Sequence, residues 1–262
     1  MQNIHRLLTM GCVLIGLMVL VSTISAFFSP SLQAALTVPT KPGAVQNIVT
    51  QPPMNGTTPV MMPSPTAMPT TLLAQDTFQR NDQRFWGTAS NGQIWGGNAN
   101  SSPAFTVAGQ TGTIANGAGI FDATLGPRTT DAEVVFTGSL SLFGEGNSNI
   151  GSVLRWTDSN NWYKAYLDGT QLILLKRVAG TMTRLNAANF PALNGKEYTL
   201  RFRVVGSMLW ARAWLTGQPE PAAWLTTAND TALPSGFAGL RVVIQNGVLV
   251  RIHMFTEMAA HN

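Results

Sequence analysis

The sequence predicts an all-β fold, a sandwich of two antiparallel sheets preceded by an N-terminal apolar helix and a proline-rich linker. Three observations carry this. From Gln75 onward, short runs of β-branched and aromatic residues are separated by Gly, Asn and Asp, with no long helical period. Nine of the 15 prolines fall between Pro30 and Pro69. An uncharged stretch runs from Leu7 to Phe28, behind His5 and Arg6.

Residues 1–28 read as an export segment, because a positive start, a long apolar run and small residues after it make a secretory signal. The run is also long enough to span a bilayer. Signal peptide and retained membrane anchor therefore both stand, and Arg6 puts the N-terminus inside in either case. The place expected is the cell surface or the extracellular space. Residues 29–74 alternate Pro with Thr, Ser, Gln and Met and carry no acid before the domain. Proline fixes φ and removes backbone donors, so this linker should be extended. Residues 75–262 form the folded domain.

Composition fits that division. The chain is 45% hydrophobic and 11% charged, which folds rather than stays disordered. Its net charge of +4 suggests a nucleic-acid partner until the charges are placed. Arg6 and Lys41 precede the domain, so 14 of the 16 basic residues face all 12 acids within it. That balance excludes a phosphate-binding footprint. The single cysteine, Cys12, lies in the apolar leader, so the domain has no disulfide.

Strand-like runs include Phe105-Thr-Val, Ala132 to Thr137, Ser152 to Trp156, Trp162 to Leu167, Leu172 to Arg177, Gly239 to Ile244 and Val248 to Ile252. Turn residues separate them at Asp158, Asp168-Gly169, Gly180, Asn194-Gly195 and Gly206-Ser207. Asn246-Gly247 between two apolar runs reads as a hairpin turn. One hairpin can be read residue by residue. If Gly206-Ser207 is a two-residue turn, Val204 faces Leu209, Phe202 faces Ala211 and Leu200 faces Ala213. The opposite face then pairs Arg203 with Trp210, Arg201 with Arg212 and Thr199 with Trp214. Opposed residues share a side of the sheet, so this register separates an apolar face from an arginine–tryptophan face.

Several stretches resemble a known module. They are Asp76-Thr-Phe-Gln-Arg, Trp86-Gly-Thr-Ala, Trp95, Asn161-Trp-Tyr-Lys-Ala, Asp168-Gly-Thr-Gln-Leu, Leu209-Trp-Ala-Arg-Ala-Trp, Glu220-Pro-Ala-Ala-Trp and Gly239-Leu-Arg. Together they resemble the concanavalin A-like, LamG-type jelly-roll modules of secreted actinobacterial and related bacterial proteins, over residues 75–258. The resemblance implies two antiparallel sheets, one of them concave. That superfamily includes lectins, carbohydrate-binding modules and glycanases, so the fold carries over but the activity does not. The last strand departs: Ile252-His-Met-Phe255 stands where such modules carry a Phe-Asp-Asp-Phe-like strand. Two carboxylates that could serve a calcium site are thereby missing.

The chemistry open to the domain is narrow. Glycoside hydrolysis needs two carboxyl groups about 5–10 Å apart. Only Asp131 and Glu133 sit at i, i+2 on one strand face, and a solvated strand start explains them as well. No Gly-x-Ser-x-Gly occurs, and the domain's histidines are His253 and His261. Asp76 is the one candidate ligand for Ca2+, with a turn-capping role as its alternative. The arginine–tryptophan face is the best lead. Trp210 and Trp214 can stack on sugar rings, and Arg201, Arg203 and Arg212 can donate to hydroxyls or carboxylates. The competing reading stacks Arg203 on Trp210 and folds the Trp224 loop over the face. Trp86, Trp95, Trp156 and Trp162 read as core or loop-packing residues.

The function expected is a non-catalytic, lectin-like module outside the cell, binding a polysaccharide or cell-wall glycan. It would touch the membrane only through an uncleaved leader. A structural or adhesive spacer without a small ligand is the alternative, and a glycoside hydrolase ranks behind both. The lectin reading requires an exposed aromatic, whereas the spacer reading requires a filled face.

Overall fold

The computed structural model describes residues 71–144 and 147–261. The apolar leader and nearly all of the linker lie outside them. Among the described residues, no helix is long and apolar enough to cross a membrane. They hold fifteen strands, one 3-10 turn at Gly97–Asn100, and no α-helix.

Two antiparallel sheets form a sandwich. The larger runs in the order β13 (Thr226–Asn229), β12 (Met208–Leu215), β11 (Glu197–Val205), β6 (Ala132–Leu140), β15 (Val250–Ala259), β4 (Gly112–Ile114), β3 (Phe105–Val107), β2 (Gln83–Arg84). Strand β1 (Leu72–Asp76) also pairs with β15, and it begins three residues inside the segment read as linker. The smaller sheet runs β10 (Thr181–Asn189), β9 (Gln171–Val178), β8 (Asn161–Leu167), β7 (Ile150–Asp158), β14 (Gly236–Ile244), β5 (Gly119–Thr129).

The β11–β12 hairpin has the register read from the sequence. Val205 pairs with Met208, Phe202 with Ala211, and Tyr198 with Leu215. Gly206 opens the turn at φ +55, a conformation that favours glycine. Leu200, Phe202, Val204, Leu209, Ala211 and Ala213 are buried, while the intervening Arg201, Arg203, Trp210, Arg212 and Trp214 are half-buried. Alternation of this kind is what a sheet with one covered face requires.

The Asn246-Gly247 expectation is corrected. Gly247 does sit at positive φ, and Val248 N donates to Gln245 O across a tight turn. Yet β14 and β15 belong to different sheets. The turn is a crossover from one layer of the sandwich to the other. Turn residues specify a local reversal, but both flanking runs are apolar enough to sit against either layer.

The core between the sheets is aromatic at one end. Trp86 lies 4.8 Å from Trp95 and 4.9 Å from Phe105, and Trp95 lies 5.2 Å from Phe255, all edge-on. Edge-to-face packing at these distances suits ring quadrupoles. Trp86 and Trp95 are core residues, as the sequence suggested.

Candidate functional site

Asp76 ends β1 at this aromatic corner, fully buried. Its carboxylate accepts from both terminal nitrogens of Arg80 at 2.7 and 3.0 Å, from Trp95 Nε1 at 2.7 Å and from Phe78 N at 2.9 Å. The guanidinium occupies the place beside the carboxylate that a cation would need, and like charges exclude each other there. Asp76 therefore does not fit a calcium site. Among the described residues, no three His, Cys, Asp or Glu side chains gather where they could hold a metal. The Asp76-Thr-Phe-Gln-Arg stretch is instead a structural clasp joining β1 to the Trp95 loop.

Asp131 and Glu133 are drawn to different partners. Asp131 accepts from Gly206 N at 2.9 Å and from Arg155, whereas Glu133 pairs with Arg201. Both are ion-paired; the Glu133 side chain is nearly buried, whereas that of Asp131 stays 35% exposed. His253 points outward and pairs with Glu197 at 3.0 Å.

The arginine–tryptophan face lies on the outside of the larger sheet. Arg201 donates to Glu133 and Glu220, and Arg212 meets the same Glu220 at 2.6 Å. These contacts hold the Glu220 carboxyl below its usual range, against the opposing effect of its partial burial. Arg212 also donates to Pro221 O and Ala222 O and stacks 4.3 Å above Trp224. Arg203 lies 5.8 Å from Trp210, and Trp224 lies 6.3 Å from it. Trp210 and Trp214 remain half-buried. The Glu220–Trp224 segment thus folds back onto the face and satisfies two of its three arginines.

A different surface carries an open groove. It crosses the outer face of the smaller sheet, with a volume of about 450 Å³. Ile120, Arg241, Val243, Trp162, Lys164, Tyr166, Leu175, Arg177 and Met182 come to it from five strands, joined by Asn147, Asn149 and Gln245. Strand periodicity explains the gathering. Trp162, Lys164 and Tyr166 alternate on β8, and the register places Arg177, Leu175 and Ile173 of β9 beside them. On the other flank Val153 separates Lys164 from the β14 row that carries Arg241, and Asp122 pairs with Arg241 across β5.

At the floor of the groove is Lys164, only 3% exposed. Its Nζ donates to Asn149 Oδ1 at 2.5 Å and lies 4.6 Å from the Tyr166 ring. Burial pulls the ammonium down to about 7, the nearby Arg241 charge adds to this, and Asp122 opposes it. Arg241 grips Asp122 at 2.6 and 2.5 Å and covers the Trp162 ring at 4.7 Å. Trp162 is therefore a packing residue under a guanidinium, not an open platform.

The groove is not legible in the sequence, because its residues are scattered from Ile120 to Gln245. The signal available was Trp162-Tyr-Lys-Ala-Tyr166, where a lysine sits between two aromatics on one strand face. A lysine there is either solvated at an edge or held in a pocket, and only the neighbouring strands decide.

No family model matches the chain, and no curated protein matches it. Solved structures do. A xylan β-1,4-xylosidase from Bacillus halodurans C-125 is 13% identical with a TM-score of 0.53, over 70% of this chain and 38% of that one. The xyloglucan-locus protein GH43B of Bacteroides ovatus is 14% identical with a TM-score of 0.52, over 77% of this chain and 42% of that one. The carbohydrate-binding module CBM66 from Bacillus subtilis is 14% identical with a TM-score of 0.45, over 70% of this chain and 96% of that one. The chain thus spans about two fifths of the length of the first two. At these identities the first two likenesses define a shared β-sandwich fold and nothing narrower.

Proposed function

We propose that the protein is a non-catalytic, lectin-like module displayed outside the cell, and that it binds glycan in the groove over Lys164. The observation that carries this is the groove's lining. Amides, an ammonium, guanidinium groups and a half-buried tyrosine converge on one open cleft of small-ligand size. Hydroxyl-rich ligands ask for that mixture of donors, acceptors and flat apolar surface. Among the described residues, no carboxylate lines the groove, and the nearest, Asp122, is bound to Arg241. Binding without hydrolysis is the chemistry such a lining supports. The apolar leader and the proline-rich segment support display at a surface.

A second reading places the glycan on Trp210 and Trp214 with Arg201, Arg203 and Arg212 beside them, and the partial exposure of both rings favours it. The Glu220–Trp224 segment weighs against it, because two of the arginines are already committed there.

The test is a glycan array with the full-length protein, alongside Tyr166→Ala, Trp210→Ala and Trp214→Ala. Loss of binding in Tyr166→Ala alone supports the groove. Loss in the tryptophan variants alone moves the site to the other sheet. Absence of binding to every glycan would leave the spacer role in place of the lectin one.

A further inference from the structure

We infer that the groove is built for an acidic sugar, whose carboxylate is seated on Lys164. This rests on the glycan-binding reading and narrows its ligand class to uronate-bearing saccharides.

The inference starts from charge inside the groove. Its lining holds Lys164, Arg177 and Arg241 and, among the described residues, no acid. The three cations are not equivalent. Arg241 is neutralised by Asp122. Arg177 donates to Gly180 O at 3.0 Å and Ser159 O at 3.1 Å, so it is positioned by neutral carbonyls and keeps its charge. Among the described residues, Lys164 meets only the Asn149 amide oxygen and the Tyr166 ring. Among the described residues, no carboxylate lies within ion-pair reach of it.

A buried ammonium of this kind is unusual. It has three donors, and Asn149 takes one. Taking the charge out of water is costly, and an amide oxygen repays only part of the cost. A leucine or methionine would pack in its place without that penalty. A neutral sugar would answer the spare donors but leave the charge uncompensated. A carboxylate answers both, since charge-assisted hydrogen bonds are the stronger kind.

The groups facing Lys164 set how it titrates. Arg241 from β14 opposes its charged form and Asp122 from β5 favours it, while Tyr166 on its own strand and Arg177 on β9 complete the surroundings. With its proton held only to about pH 7, the free protein carries a mixture of neutral and charged Lys164 at neutral pH. An arriving carboxylate favours the charged form, so binding must draw a proton from solvent.

Isothermal titration calorimetry of the full-length protein tests this. The probes are tetrasaccharides of galacturonate, mannuronate and hyaluronan, each beside its methyl ester, and neutral xylotetraose. At least one acid should bind about ten-fold or more tighter than its own ester. Titration at pH 7.5 in buffers of different ionisation enthalpy should show net proton uptake for the acid and none for the ester. In Lys164→Met the acid and the ester should bind alike. Lys164→Gln serves if the methionine variant does not fold, and proton uptake needs no variant. Esters or xylotetraose binding as tightly as the acids, with no proton taken up, would overturn the carboxylate seat and leave the lectin reading standing. Silence of every glycan, neutral and acidic, would overturn both.

Discussion

Glu257 should make this protein less stable as the solution becomes less acidic. The residue lies on β15 with no exposed surface. Thr129 Oγ1 approaches one carboxyl oxygen at 3.4 Å, and the other has no partner. Space for it exists because residue 126 is glycine: a Cβ there would stand 1.9 Å from Glu257 Oε2. Burial pushes the carboxyl up to about 8 from an ordinary 4.5. Between those values the folded chain holds a proton that the unfolded chain has released. Stability then falls as pH rises through this window, and the full cost is present above it. The difference of about 3.5 pH units corresponds to about 3–5 kcal/mol. Glu257→Gln keeps the shape and cannot ionise. Urea denaturation of both full-length proteins at pH 5, 6, 7 and 8 reads the difference, in which every other titrating group cancels. The variant should match the wild type near pH 4.5 and exceed it by about 3 kcal/mol or more at pH 8. Parallel profiles from pH 5 to 8, or a variant less stable at pH 8, would refute the reasoning.

Lys164 has the opposite sign. Its folded value near 7 lies below the ordinary 10.5, so its cost is full below pH 7 and fades as pH rises towards 10.5. Lys164→Met should therefore stabilise by about 1–3 kcal/mol at pH 6 and by little at pH 10, read by the same denaturation series. Arg80→Leu should destabilise by about 3–5 kcal/mol, because it strands the buried Asp76 charge, and thermal melting will show it. Gly126→Ala combines a side chain at φ +97 with the 1.9 Å clash against Glu257, and should abolish cooperative unfolding as seen by near-UV dichroism. Glu220→Gln lies on a partly exposed ion pair and should cost about 1 kcal/mol or less, while red-shifting the tryptophan emission as Trp224 loosens.

What the sequence revealed depended on how local the determinant was. The β11–β12 register was legible because a two-residue turn and strict alternation fix every pair between Tyr198 and Leu215. The outward direction of Trp210 and Arg201 came with it. That Glu220 would reach both Arg201 and Arg212 did not, since the loop's path depends on contacts outside the hairpin. Strand β10 was missed for another reason. It is an edge strand of mostly exposed Thr, Met, Arg and Asn, without the apolar alternation that marks a covered face. Asn246-Gly247 announced a turn but not which layer the next strand would join. The groove was the least legible feature, because five strands distant in sequence contribute to it.

The position of β15 has a consequence for when the fold can form. Among the described strands this one comes last, yet it lies inside the larger sheet, between β6 and β4, with β1 also paired to it. A ribosome releases it only after every other described strand has been made. Until then the earlier strands lack the partner that joins β1 and β4 to β6, and the aromatic corner lacks Phe255. Pairing that spans nearly the whole domain is slow to nucleate. The domain should therefore stay open until the residues of β15 have emerged, so its closing step joins the first and last described strands at once.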